Sequence, residues 1–142
     1  MKTSIVMATY NGAEYLYEQL DSIRDQSLKA DEVIICDDCS KDNTVEMLRS
    51  YVAENSLGDS WKIIENEENL GYANNFHKAL TLAQGDYIFF SDQDDIWHLN
   101  KLEDMCRVMD ENPKVQLLCT DYEPYVSAEN APTVPDNIMK KM

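Results

Sequence analysis

Short apolar runs alternate with amphipathic segments from Thr3 to Cys119. Thr3-Ser4-Ile5-Val6-Met7-Ala8-Thr9 is apolar and is closed by the turn pair Asn11-Gly12, which predicts a buried strand. Tyr15, Leu16, Leu20 and Ile23 then recur at helical spacing, predicting a helix from about Ala13 to Gln26. Asp31 to Cys36 reads as a second strand. Ser40-Lys41-Asp42-Asn43-Thr44 offers N-cap chemistry for a helix marked by Val45, Leu48 and Val52. Trp61 to Ile64 is a third strand, Tyr72 to Gln84 a helix stopped by Gly85, and Tyr87 to Phe90 a strong fourth strand. A helix from about Lys101 to Glu111 ends near Pro113, and Val115 to Cys119 is expected as a fifth strand.

Strands alternating with helices through short loops imply an α/β domain, a mostly parallel sheet with helices on both faces. Such sheets bind ligands beyond the carboxyl ends of their strands. Three polar clusters fall at predicted carboxyl ends: Thr9-Tyr10-Asn11, Asp37-Asp38 and Asp92-Gln93-Asp94-Asp95. The last is the most informative, because an apolar strand leads straight into three carboxylates that repel one another. A divalent cation would join them. In extended chain, residues two apart share a face about 6.6 Å apart, so Asp92 and Asp94 are expected to turn towards one ion. Mg²⁺ and similar hard cations favour such oxygen ligands and complete their shell with water and substrate phosphates. The plainer reading of the same residues is a solvated acidic turn, with Asp95 capping the next helix.

The length, 142 residues, suits one domain with a single core. A formal net charge of −15 argues against nucleic acid as a partner and means that an anionic substrate needs a metal or local dipoles to approach. No window approaches a membrane span and the N-terminus does not read as a signal peptide, so the expected location is cytoplasmic. Cys36 and Cys39 have the spacing of a redox or half-zinc motif. No second Cys/His pair completes a zinc site, and the intervening acids would raise the thiol pKa, so strand-end packing is expected instead.

The ordered set Ser4 to Asn11, Asp37 to Thr44, Asn69-Leu70-Gly71 and Ser91-Asp92-Gln93-Asp94-Asp95 resembles family-2 glycosyltransferases of the Rossmann-like GT-A fold. The likeness covers residues from about Thr3 to Thr120. It implies transfer of a sugar from a nucleotide-diphosphate donor, with inversion, to a saccharide or lipid-linked acceptor. Asp92 to Trp97 followed by Asn100-Lys101-Leu102-Glu103 is similar to the rhamnosyltransferase branch, which builds cell-surface polysaccharide from dTDP-rhamnose. A UDP-sugar is the other donor the family implies. By the same resemblance, Ala8 and Tyr10 line the base pocket, and Asp38 accepts the N3–H of uracil or thymine while Asp37 orders the loop. Asp94 is the better ligand for Mg²⁺ or Mn²⁺. Asp92 reaches the ribose or a metal-bound water, and Asp95 contacts donor sugar hydroxyls.

Inversion needs a general base to take the acceptor proton. In the family that acid lies in a later segment. Asp121, Glu123 and Glu129 come too soon after the expected fifth strand, so the base is expected beyond Met142. Residues 1–120 are therefore read as the donor-binding half. Residues 121–142, polar and carrying Pro124, Pro132 and Pro135, are read as the start of an incomplete acceptor side. The longer protein is expected at the inner face of the membrane. The competing function is a module that binds a nucleotide sugar without catalysis.

Overall fold

The computed structural model describes residues 1–122; Glu123, Glu129 and almost all of the expected acceptor-side segment lie outside them. The element order is β1 (Thr3–Thr9), α1 (Leu16–Arg24), β2 (Glu32–Asp37), α2 (Thr44–Glu54), β3 (Trp61–Glu65), α3 (Tyr72–Leu82), β4 (Tyr87–Ser91) and α4 (Lys101–Glu111). The four strands form one sheet in the order β3-β2-β1-β4, and every pairing is parallel. Every residue of β1 and β2 is buried, as expected for central strands with helices on both faces.

Side-chain alternation divides the core in two. Ile5, Met7, Val33, Ile35 and Phe89 pack with Leu16, Leu20, Leu48 and Leu102, which places α1, α2 and α4 on one face. Val6, Ala8, Ile34 and Cys36 pack with Phe76 and Ala79 of α3 on the other. The sheet therefore lies between two helical layers, as the α/β reading expects. No helix among the described residues is long and apolar enough to cross a membrane.

Connections run outward from β1 in both directions, to β2 and β3 on one side and to β4 on the other. The carboxyl ends of β1 and β4 thus form the switch point at which parallel α/β sheets open a crevice.

Two expectations fail. Val115 to Cys119 forms no strand; the segment has no ladder partner among the described residues, and Leu117 is 79% exposed. An apolar run without a neighbouring strand has nowhere to place its backbone hydrogen bonds. Nor does Gly85 stop α3 by a left-handed cap, since the helix ends at Leu82 with extended Ala83 behind it. Gly85 is instead required by proximity. Its N–H donates to Ser4 Oγ at 2.7 Å, and a Cβ there would sit 2.5 Å from that oxygen and 2.6 Å from the Ser4 nitrogen. The main chain of a central strand cannot give way, so Gly85→Ala is expected to cost about 1–3 kcal/mol in urea denaturation. An unchanged midpoint would show that the approach is looser than this.

Candidate functional site

The loops after β1 and β2 are tied into one platform. Asp38 N–H donates to Thr9 O at 2.9 Å, and Thr9 Oγ1 donates to Asp37 Oδ1 at 2.9 Å. Asp37, 1% exposed, also accepts from the Ser40 N–H at 2.9 Å and the Ser40 hydroxyl at 2.5 Å. All three of these bonds tie the loop ends together, the loop-ordering role that the family resemblance implies for Asp37. Asn11 takes the left-handed conformation, φ 49°, and its Oδ1 accepts from Lys41 N–H at 2.7 Å. Thr44 opens α2, with its N–H and hydroxyl both donating to Asp42 Oδ1, so Asp42 is the working residue of the predicted capping run.

Asp38 is 3% exposed and highly coordinated. Its Oδ1 accepts from the Asn66 amide at 2.8 Å and from Leu70 N–H at 2.7 Å, and its Oδ2 accepts from Gly71 N–H at 2.8 Å. Asn69 Nδ2 closes the turn on the Asp38 carbonyl at 3.0 Å. Gly71 has φ 78°, a value that glycine adopts without strain, and its N–H meets the carboxylate. Oδ2 holds a single donor and so keeps acceptor capacity, and Asp38 is one of the residues that line the cavity at this edge.

Beyond β4 the acidic segment is a turn, because the strand ends at Ser91. The extended-chain argument for Asp92 and Asp94 therefore does not hold: a turn, not the two-residue repeat of a strand, brings them to one cavity. Gln93 shapes it. Gln93 Oε1 accepts from Tyr10 N–H at 2.8 Å and its Nε2 donates to Tyr10 O at 3.1 Å, clamping the end of β1 to the end of β4. Gly12 leaves room for that clamp, since a Cβ would lie 2.4 Å from Gln93 Oε1.

The far side of the turn is anchored to α1. Gln26, fully buried, donates to Ser22 O at 2.9 Å and to His98 O at 2.8 Å and accepts from Leu102 N–H at 3.0 Å. Trp97 is buried under the turn, and Lys101 Nζ sits 4.1 Å from its ring centroid. The N-cap of α4 is Asn100, so Asp95 does not cap it.

These elements enclose a cavity of about 440 Å³ lined by Ala8, Thr9, Tyr10, Asp38, Asn69, Gly71, Tyr72, Asn75, Asp92, Gln93 and Asp94. The sequence-predicted residues Ala8, Tyr10, Asp38, Asp92 and Asp94 all reach it. Asp95 does not: it lines an adjoining cleft with His98, Lys101 and Asp121, and Asp94 stands at the junction of the two. Sequence reasoning missed Tyr72, Asn75, Gln93 and Asn66. Polar residues inside a helix or a turn carry no periodic signal, and only the fold shows which of them face the carboxyl edge.

Burial, and then the charges of Asp95 and Asp94, raise the Asp92 carboxyl above the usual aspartate range, against a long contact from the Tyr72 hydroxyl at 3.5 Å. No group of three or more His, Cys, Asp or Glu among the described residues is placed to hold a metal. The donor set fits a hard cation only when a ligand completes it: two carboxylates plus diphosphate oxygens and water, the shell Mg²⁺ prefers. Cys36 and Cys39 offer no alternative. Both are free; burial raises the Cys36 thiol, and Cys39 Sγ donates to Asn66 O at 3.2 Å.

The sequence pattern described as "Glycosyl transferase family 2" matches residues 4–135. The chain belongs to this family. Among curated relatives, the family member named putative teichuronic acid biosynthesis glycosyltransferase TuaG of Bacillus subtilis (strain 168) is 38% identical over 106 residues, 75% of this chain and 41% of the relative. The UDP-Glc:alpha-D-GlcNAc-diphosphoundecaprenol beta-1,3-glucosyltransferase WfaP of Escherichia coli is 36% identical over 120 residues, 84% of this chain and 45% of the relative. The chain thus spans less than half the length of these relatives. In structure it is similar to Staphylococcus aureus TarS 1-349 in complex with UDP-GlcNAc, with a TM-score of 0.71 and 33% identity over 80% of this chain and 32% of that one. The mannosyltransferase PcManGT of Pyrobaculum calidifontis, in complex with GDP-Man and Mn²⁺, gives a TM-score of 0.70 at 28% identity over 76% of this chain and 32% of that one. These likenesses bear out the GT-A-like α/β fold and the glycosyltransferase family. Nothing among them distinguishes the rhamnosyltransferase branch.

Proposed function

We infer that this chain is the donor-binding part of a glycosyltransferase that moves a sugar from a pyrimidine nucleoside-diphosphate donor, with inversion, to a saccharide or lipid-linked acceptor. The observation that carries the reading is the convergence of Ala8, Tyr10, Asp38, Asp92 and Asp94 on one cavity at the switch point of the sheet. Tyr10, 48% exposed at the end of β1, offers its face to the base. Asp38 Oδ2 accepts the base N3–H as a charge-assisted hydrogen bond. Asp92 and Asp94 would hold Mg²⁺ or Mn²⁺ against the diphosphate, and a cation there would neutralise the charge that develops on the departing nucleotide. The cleft beyond Asp94, lined by Asp95, takes the sugar.

The general base belongs on the acceptor side, outside the described residues. The names of TuaG and WfaP support a cell-surface polysaccharide or lipid-linked acceptor, and hence work at the inner face of the membrane. UDP-glucose and UDP-N-acetylglucosamine, named for WfaP and the TarS complex, are the first donors to try, with dTDP-rhamnose as the donor of the rhamnosyl branch.

Calorimetry with uridine, thymidine and cytidine diphosphates, each with Mn²⁺ and with EDTA, tests this reading. Uridine and thymidine diphosphates are expected to bind with Mn²⁺ at least about tenfold more tightly than cytidine diphosphate, which lacks the N3–H. Equal binding in Mn²⁺ and EDTA would remove the metal from the site, and equal binding of the three bases would remove Asp38 from base recognition.

A further inference from the structure

We propose that Lys78, outside the nucleotide cavity, is a positioning residue for base recognition that acts through Asn66 on Asp38. Lys78 Nζ donates to Asn66 Oδ1 at 2.8 Å. Asn66 Nδ2 donates to Asp38 Oδ1 at 2.8 Å and to Asn75 Oδ1 at 2.9 Å, and Asn75 Nδ2 donates to Cys36 O at 2.8 Å. Asn66 is 8% exposed and Asn75 2%, so the chain of amides is shielded from water. Neither Lys78 nor Asn66 lines the cavity, which separates this role from ligand contact.

The direction of the network follows from its ends. An ammonium has donors only, so Asn66 must turn its oxygen to Lys78 and its amide protons to Asp38 and Asn75. A carboxylate has acceptors only, so Asp38 demands the same orientation from the opposite end. Two groups of opposite charge thus hold one buried amide between them on the Oδ1 side, and leave Asp38 Oδ2 with the Gly71 N–H as its one donor and capacity for the base. In a chain of net charge −15, Lys78 also supplies positive charge close to a carboxylate that burial would otherwise penalise. Removing the ammonium leaves Asn66 Oδ1 buried without a donor, which draws the side chain towards solvent and loosens its hold on Asp38.

This inference rests on the reading of Asp38 as the base-contacting acid, and its test has one arm that does not. In Lys78→Met the preference for uridine over cytidine diphosphate is expected to fall about fivefold, with Lys78→Arg restoring most of it. Without nucleotide, hydrogen exchange at the Leu70 and Gly71 amides, both bound to Asp38, is expected to accelerate about tenfold in Lys78→Met and not in Lys78→Arg. The β1 amides serve as the control for global destabilisation and should not change. The effects of Lys78→Met and Asn66→Ala on this exchange should not add, because Lys78 acts on Asp38 through the Asn66 side chain; full additivity would overturn the inference. Faster exchange at Leu70 and Gly71 with no base preference even in the parent protein would overturn the reading of Asp38 and leave Lys78 as its anchor. Unchanged exchange in Lys78→Met would overturn the inference itself, as would equal acceleration throughout β1.

Discussion

Asp38→Ala is expected to lower the stability of the domain by about 3 kcal/mol and to abolish discrimination among pyrimidine nucleotides. Both effects come from one carboxylate. Its loss takes the acceptor from the Leu70 N–H and from one Asn66 amide proton, and leaves the Gly71 N–H only its longer bond to Asn69 Oδ1 at 3.2 Å. The buried Asn66 amide left unmatched costs its desolvation, while the half-buried Leu70 and exposed Gly71 N–H groups reach water when the loop relaxes. Asp38 holds the loop before α3 and also lines the cavity, so one substitution reaches both stability and binding. Urea denaturation and competition titration measure the two effects separately. A variant with parental stability would show that the three donors find other partners.

Replacing Asp92 by asparagine is expected to move stability and binding in opposite directions. The native Asp92 carboxyl titrates above its ordinary value of 3.8, owing to burial and to the charges of Asp95 and Asp94. Between the two values the native state holds a proton that the unfolded chain has released. The associated stability is therefore fully present below the unfolded value and is lost as pH rises through the native one. At neutral pH, without metal, the ionised group is a liability. Asp92→Asn should raise the melting temperature of the metal-free protein at pH 7 and show little gain at pH 3. With Mn²⁺ the same variant should bind uridine diphosphate at least about tenfold more weakly, a loss of ~1.4 kcal/mol, and Asp94→Asn should lose more. In EDTA the difference between parent and variants should shrink or reverse. A melting temperature that falls at pH 7 would show that Asp92 already has a stabilising partner in the metal-free protein.

These acids illustrate how far sequence reaches. Asp92 and Asp94 stand out because they follow an apolar strand, and that local contrast is visible without a structure. Their geometry is not. Pairing of β4 with β1 stops at Ser91, and the following turn is held by Gln93 on the Tyr10 backbone and by Gln26 on His98 and Leu102. Each of these bonds joins positions more than seventy residues apart, and a glutamine gives no local sign of such a partner.

What the sequence determined by itself is the alternation of buried strands and amphipathic helices, the order of the elements and the edge at which polar chemistry gathers. Hydrophobic periodicity is a local property, and right-handed parallel connections turn it into topology. Tertiary structure alone decided the rest. It left Val115 to Cys119 without a strand partner among the described residues, made Gly85 a point of close approach to Ser4, and set Asp95 in a cleft apart from Asp92. It also joined Lys78 of α3 to Asp38 after β2 through Asn66. The physical reason is that a buried polar group must find its partner wherever the packed chain places one, and that partner is set by three-dimensional proximity, which periodicity does not encode.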